Sequence, residues 1–203
     1  MKRLIIGFGH KRRSGKDTCG EFAAEYLIKH RNIPFTQIDW FARSLKAACI
    51  AAFDFNEDQM WGPSKLVVDP YWGFTPAFAL QKTGTEAMRH TFGDDFWVKT
   101  LKRRVLASRD TCFVITDVRF PNEAAAIKSW GGFVVDVVRP QAPEALADGR
   151  DSDHPSETAL DLYADWDGVI INDGTIEQLR DQVTKLVDRF LHVLALRERE
   201  EAQ

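Results

Sequence analysis

Residues 7–18 read Gly-Phe-Gly-His-Lys-Arg-Arg-Ser-Gly-Lys-Asp-Thr, with the apolar run Leu4-Ile5-Ile6 before them and a helix-length amphipathic segment after. This strand, loop and helix order is the setting in which a backbone wraps phosphate groups. Main-chain N–H groups point inward, the helix N-terminus adds the positive end of its dipole, and a lysine reaches the β and γ oxygens of a triphosphate. Gly15 leaves room for the approaching backbone, and Lys16 puts compact positive charge where negative charge gathers in phosphoryl transfer. Two positions depart from the common loop. The glycine expected five positions before Gly15 is His10, with Gly9 just upstream. The residue after the lysine is normally Ser or Thr, whose hydroxyl helps hold Mg²⁺; here it is Asp17, with Thr18 next. Either Asp17 holds the metal through water, or Thr18 takes that task.

Arg12 and Arg13 place two guanidiniums at the loop tip. They suit a second anionic substrate facing the first, and a pair of solvated loop arginines is the alternative. Asp117 closes an apolar run at residues 112–116, where a Walker-B carboxylate orients Mg²⁺ or the attacking group. Its other reading is an N-cap for the helix that follows. Arg119 points the same way off the strand end. Arg89 and His154 have plainer readings as a solvated helix face and a loop hydrogen bond. Trp97 recurs with Leu101 and Val105 every four residues, which favours the core over a base-stacking platform. Lys99, Lys102, Arg103 and Arg104 read as a solvated face.

The ordered set of motifs is more specific than any member. It comprises Lys11-Arg12-Arg13-Ser14-Gly15-Lys16-Asp17-Thr18, then Gln81-x-x-Gly84-Thr85-Glu86-x-x-Arg89 followed by Trp97, then Asp117-Val118-Arg119-Phe120-Pro121-Asn122-Glu123. His154-Pro155-Ser156-Glu157 and Asn172-Asp173-Gly174-Thr175 with Leu179 complete it. Together these motifs resemble the bacteriophage deoxynucleoside monophosphate kinases over residues 3–182, nearly the whole chain. The resemblance implies transfer of the γ-phosphoryl of ATP to a deoxynucleoside 5′-monophosphate with Mg²⁺, giving ADP and the diphosphate.

Carried over by position, the donor site would be Arg13, Ser14, Gly15, Lys16, Asp17 and Thr18, with Asn172, Asp173 and Gly174 near the adenine. Lys16, Arg13, Asp117 and Arg119 would be catalytic, and Asp17, Thr18 and Asp117 would serve the metal. The acceptor side would comprise Arg12, Phe41, Ala42, Lys46, Arg89, Trp97, Arg119 and Glu123, with Arg139, Arg150, His154 and Glu157 closing over it. The chain departs from the family at His10, where a loop glycine is usual. It departs again at Arg43 in Phe41-Ala42-Arg43-Ser44-Leu45-Lys46, where an acid is usual.

Short apolar strands alternating with amphipathic helices must position these groups. Strands are expected near residues 3–7, 35–39, 112–116 ending at Asp117, 133–138 and 169–171. Helices are expected near 16–30, 41–53, 76–90, 94–107 and 121–130. A last helix opens on the capping-box pair Thr175 and Gln178, with Ile176, Leu179, Val183, Leu186, Val187, Phe190, Leu191 and Leu194 on one stripe. Residues 54–75, with Pro63, Pro70 and the aromatics Phe55, Trp61, Tyr71 and Trp72, read as a substrate-side excursion. Residues 139–158 read as a lid and 197–203 as a frayed tail. The expectation is therefore one α/β domain over 1–203, a P-loop NTPase-type parallel five-stranded sheet flanked by helices, with a lid and substrate-side insertion.

The 203 residues, 44% hydrophobic and 28% charged, suit one domain that buries a core without staples. The three cysteines are far apart and form no C-x-x-C pair, which fits reduced thiols in a cytoplasm, that of the host for a phage-encoded protein. A net charge of −3 supplies no global pull toward nucleic acid or anionic lipid. No apolar run is long enough to span a bilayer. The expected partner is a small-molecule nucleotide, not nucleic acid or membrane, and a homodimer stays open. Two other functions remain: a P-loop kinase with another acceptor, such as a metabolite or modified DNA, or a nucleotide-dependent switch. Against the switch, the Asn-Lys-x-Asp element of guanine-specific proteins is missing.

Overall fold

The computed structural model describes residues 3–140 and 154–202. Five strands, β1 (Leu4–Gly9), β2 (Thr36–Asp39), β3 (Cys112–Val118), β4 (Phe133–Val138) and β5 (Gly168–Ile171), pair in parallel in the order β2-β3-β1-β4-β5. The helices are α1 (Lys16–His30), α2 (Arg43–Phe53), α3 (Glu57–Trp61), α4 (Pro76–Gln81), α5 (His90–Phe92), α6 (Phe96–Ala107), α7 (Pro121–Ser129), α8 (Pro155–Thr158) and α9 (Ile176–Glu201). A 3₁₀ turn covers Pro63–Leu66, and a π-helical stretch, Lys82–Arg89, joins α4 to α5. This is the P-loop type of α/β fold.

Strand alternation divides the core into two layers. Leu4, Ile6 and Phe8 of β1, Cys112 and Val114 of β3, and Phe133, Val135 and Val137 of β4 face α1 and α9. There they meet Phe22, Ala23 and Leu27 of α1 and Val183, Val187 and Phe190 of α9. Phe133 and Phe190 stack with centroids 4.2 Å apart. The intervening residues Ile5, Phe113, Ile115 and Val134 face the other way, against Leu45, Leu80, Trp97, Leu101 and Ile127. Both sheet faces are covered, as a parallel sheet requires. The free thiols of Cys19, Cys49 and Cys112 are buried in these layers. Burial pushes all three up, Cys19 and Cys112 to about 12.

α1 and β4 run as the sequence predicts, and α9 opens on the Thr175–Gln178 capping box. Several boundaries differ. β1 continues to Gly9 because it pairs on both sides, Gly9 opposite Val118 and opposite Asp136, and β3 likewise continues through Val118. The helix expected over 76–90 splits where the backbone widens into the π-helical stretch. The excursion at 54–75 holds α3, with Asn56 and Gln59 as a capping box, and buries Phe55 and Met60. The tail expected to fray continues α9 to Glu201; Arg197 lies over the Phe133 ring at 4.9 Å and donates to the Gly131 carbonyl at 3.2 Å. Most of the expected lid, residues 141–153 with Arg150, lies outside the described residues. Among the described residues no helix is long and apolar enough to cross a membrane.

Candidate active site

A cleft of about 880 Å³ opens at the carboxyl ends of β1 and β3, where ligands bind in sheets of this kind. The phosphate loop forms one wall through Arg13, Gly15, Lys16, Asp17 and Thr18. Gly15 needs to be glycine twice over: its φ is 103°, and a Cβ there would lie 2.5 Å from Asn172 Nδ2. That amide donates to the Ser14 carbonyl at 2.9 Å, so the end of β5 braces the loop. His10, at the usual glycine position, also has a positive φ, 86°. Its Nδ1 lies 2.8 Å from Asp136 Oδ1, a bond that offsets the local cost of that backbone.

Lys16 is buried, and its ammonium donates to the Lys11 carbonyl and to Ser14 Oγ. Burial, reinforced by Arg119, lowers its pKa to about 7 against the pull of Asp17, Glu157 and Asp117. Asp17 Oδ1 accepts a hydrogen bond from Thr116 Oγ1 at 2.7 Å. Asp117 sits next along β3 and turns to the opposite sheet face. Its two oxygens accept from the amides of Phe41 at 2.8 Å and Ala42 at 2.9 Å, fixing the chain that enters α2. Burial raises the Asp117 pKa, and these amides oppose the rise. The predicted Walker-B residue thus also anchors a loop, and the helix it ties down is α2 rather than α7.

The far wall carries Phe41, Leu45, Lys46, Met60, Trp61, Leu80, Gln81, Thr85 and Trp97. Trp97 is buried, with Nε1 bonded to the Gly84 carbonyl at 2.9 Å, so it serves the core while lining the cleft. The Lys46 ammonium lies 4.9 Å from the Trp61 ring centroid, and burial lowers its pKa against Asp117 and Asp17. Between the walls Arg89 is clamped: it donates to Glu123 Oε1 at 2.5 Å and to the Asp94 carbonyl at 2.6 Å, and it stacks over Phe120 at 3.8 Å. Glu123 Oε2 accepts from the amides of Arg119 at 2.8 Å and Phe120 at 3.2 Å, capping α7. Burial pushes the Glu123 carboxyl up to about 7, with Arg89 pulling it down. Arg119 donates to Glu157 Oε2 at 3.2 Å and to the His10 carbonyl at 3.3 Å.

Of the predicted site residues, the cleft gathers Arg13, Gly15, Lys16, Asp17, Thr18, Phe41, Ala42, Lys46, Arg89, Trp97, Asp117, Arg119, Glu123, Arg139 and Glu157. Others fall outside its lining. Ser14 is buried within the loop, and Arg12 is half-buried. His154 is buried as the N-cap of α8, accepting from the Ser156 amide, and its Nδ1 also meets Ser156 Oγ at 2.9 Å. Asn172 buttresses the loop, while Asp173 and Gly174 are exposed on the turn before α9. The sequence reading named no role for Thr116 or Lys65, and it gave Trp61 only as part of the substrate-side excursion and Thr85 only as a motif residue. Thr116 had a usable signal, since strand alternation places it on the α1 face.

Among the described residues no group of three or more His, Cys, Asp or Glu side chains gathers to hold a metal. Asp17, Thr18 and Asp117 nevertheless bring oxygen donors to the cleft beside Lys16. Mg²⁺ that enters with substrate phosphates needs only one or two protein carboxylates, so this donor set fits it.

Comparison with known proteins agrees with this geometry. The family model described as "Deoxynucleotide monophosphate kinase" matches residues 78–183. A protein of Acanthamoeba polyphaga mimivirus described as "Putative deoxynucleotide monophosphate kinase" is 32% identical over 202 residues, covering 91% of this chain and 96% of that one. "Uncharacterized protein ORF77" of Ictalurid herpesvirus 1 (strain Auburn) is 38% identical over 93 residues, 44% of this chain and 39% of its own length. The crystal structure of TT1252 from Thermus thermophilus shares the fold, with a TM-score of 0.52 at 13% identity over 92% of this chain and 97% of that one. The chain belongs to the deoxynucleotide monophosphate kinase family of phosphotransferases.

Proposed function

We propose that this enzyme transfers the γ-phosphoryl of ATP to the 5′-phosphate of a deoxynucleoside monophosphate, giving ADP and the diphosphate. The observation that carries the reading is one cleft in which the phosphate loop faces a wall bearing the buried Arg89 guanidinium and the aromatic rings of Phe41, Trp61 and Trp97. Such a cleft suits two anions held end to end. The loop amides and Lys16 hold the β and γ phosphates, with Arg13 at their side. Arg119 and Arg89 bind the acceptor phosphate, and the clamp on Arg89 fixes its guanidinium before substrate arrives, which limits the ordering cost on binding. Phe41, Leu45, Trp61 and Trp97 shelter the acceptor nucleoside and exclude water. Asp17, Thr18 and Asp117 would hold Mg²⁺, which when bound would supply charge neutralisation at the phosphates. Little covalent work falls to the protein, and in-line positioning supplies much of the rate.

The test is ADP release with Mg·ATP across the four common deoxynucleoside monophosphates, modified pyrimidines and the ribonucleotides. Turnover with at least one deoxynucleotide, lost in Lys16→Ala, is expected. No turnover with any of them would overturn the proposal.

A further inference from the structure

We infer that Thr116 is a positioning residue: its hydroxyl orients the Asp17 carboxylate, and Asp17 takes the metal-holding place that a loop hydroxyl occupies in the common phosphate loop. This rests on the phosphotransfer reading above only in that Mg²⁺ accompanies the triphosphate. In the common arrangement the loop supplies a hydroxyl to Mg²⁺ and the strand end supplies a carboxylate. In this chain a carboxylate stands at the loop position, and a strand hydroxyl one residue before Asp117 meets it. The residue after Lys16 is the carboxylate Asp17, and the strand residue that meets it is the hydroxyl Thr116, at 2.7 Å.

Three features make the contact a built one. Strand alternation puts Thr116 with Cys112 and Val114 on the α1 face of β3, so it must point at the helix that follows the loop. Gly20 is the place where it lands. A Cβ on Gly20 would lie 2.2 Å from Thr116 Cγ2, so the methyl seats in a notch that only glycine leaves. Asp17 stands three residues before Gly20, on the same face of α1, where the hydroxyl of the seated side chain reaches it. Thr116 is also only 2% exposed, so its hydroxyl depends on a protein partner. Asp117 meanwhile turns to the other sheet face and has each oxygen on a backbone amide, which leaves Asp17 the less committed carboxylate.

Partners that orient a metal-binding side chain typically matter by about 10–100-fold in metal affinity. The experiment compares binding of Mn²⁺·ATP with binding of ATP in excess chelator, by calorimetry, so that their ratio isolates the metal's contribution. Thr116→Val keeps the shape and removes the hydroxyl. It is expected to weaken Mn²⁺·ATP about tenfold or more while metal-free ATP changes less than about twofold. The Mg²⁺ concentration for half-maximal turnover should rise in step, and Thr116→Ser should restore both. In an Asp17→Asn background, Thr116→Val should add nothing, since the two act as one unit. Thr116→Ala serves as a second hydroxyl-less protein if the valine variant does not fold. The inference is overturned if the metal's contribution is unchanged in the hydroxyl-less variants. It is equally overturned if ATP weakens alike with and without metal, or if the Thr116 and Asp17 effects multiply independently. Failure of the acceptor reading looks different: wild-type protein would bind Mn²⁺·ATP yet phosphorylate no deoxynucleotide, and the metal ratio would still decide the role of Thr116.

Discussion

Lys16 has the electrostatic surroundings to couple nucleotide binding to protons. Burial and Arg119 hold its pKa at about 7 in the free protein, whereas triphosphate oxygens favour the charged ammonium. Below that pH the lysine is already charged and binding draws no proton onto it. Above it, binding must draw one in. Once the titration of ATP itself is subtracted, the affinity in excess chelator should therefore be level below about pH 7 and fall about tenfold per unit above it. Calorimetry near pH 8 in buffers of different ionisation enthalpy should read an uptake approaching one proton, and a flat affinity profile would contradict the assignment. Glu123 is the second residue whose loss should be felt. Its carboxylate holds the buried Arg89 guanidinium and two amides of the α7 entry. Glu123→Ala strands that cation, so a loss of about 3–5 kcal/mol is expected, read as the shift in urea-unfolding free energy.

Among the elements, α1 and α9 differ from the π-helical stretch in how openly the sequence announces them. Residues 16–30 follow a glycine with φ 103° and carry a buried face of Cys19, Phe22, Ala23 and Leu27, so both start and period are visible in the chain. Thr175 and Gln178 likewise mark where α9 begins. Its far end is less legible, because Arg197 reads as solvated charge in the sequence while in the fold it packs on Phe133, a contact set by distant sequence. Widening at Lys82–Arg89 leaves no mark in residue type or spacing. The phosphate loop and its lysine were legible because local backbone order defines them. The Glu123–Arg89 clamp was not, because 34 residues separate its partners and only the assembled sheet brings them together. Packing between elements gives a stability prediction away from the chemistry. Phe190→Ala removes the ring stacked on Phe133 and should cost about 3–5 kcal/mol of stability. KM for both substrates should stay within about twofold, the site lying elsewhere; a large KM change with unaltered stability would contradict this two-layer description.

For the molecule as a whole, a net charge of −3 coexists with a cleft in which the basic residues Arg13, Lys16, Lys46, Lys65, Arg89, Arg119 and Arg139 outnumber the acidic Asp17, Glu21, Asp117, Glu123 and Glu157. Attraction for anions is thus concentrated at one mouth, which favours a compact polyanion over a long one. Because the cleft lies between the phosphate loop and the far wall, its ligands should hold the fold together. ATP at about a hundred times its dissociation constant should add about 2.7 kcal/mol of stability, seen as a rise in melting temperature, and Lys16→Ala should abolish the rise. The buried thiols turn the same cooperative fold into its own clock. Cys19 and Cys112 lie in one layer and Cys49 in the other, each shielded and held protonated. A disulfide reagent can therefore modify each sulfur only during an excursion that bares it. If the layers part together, all three sulfurs will be consumed at one shared rate; unequal rates would identify which side of the sheet breathes first.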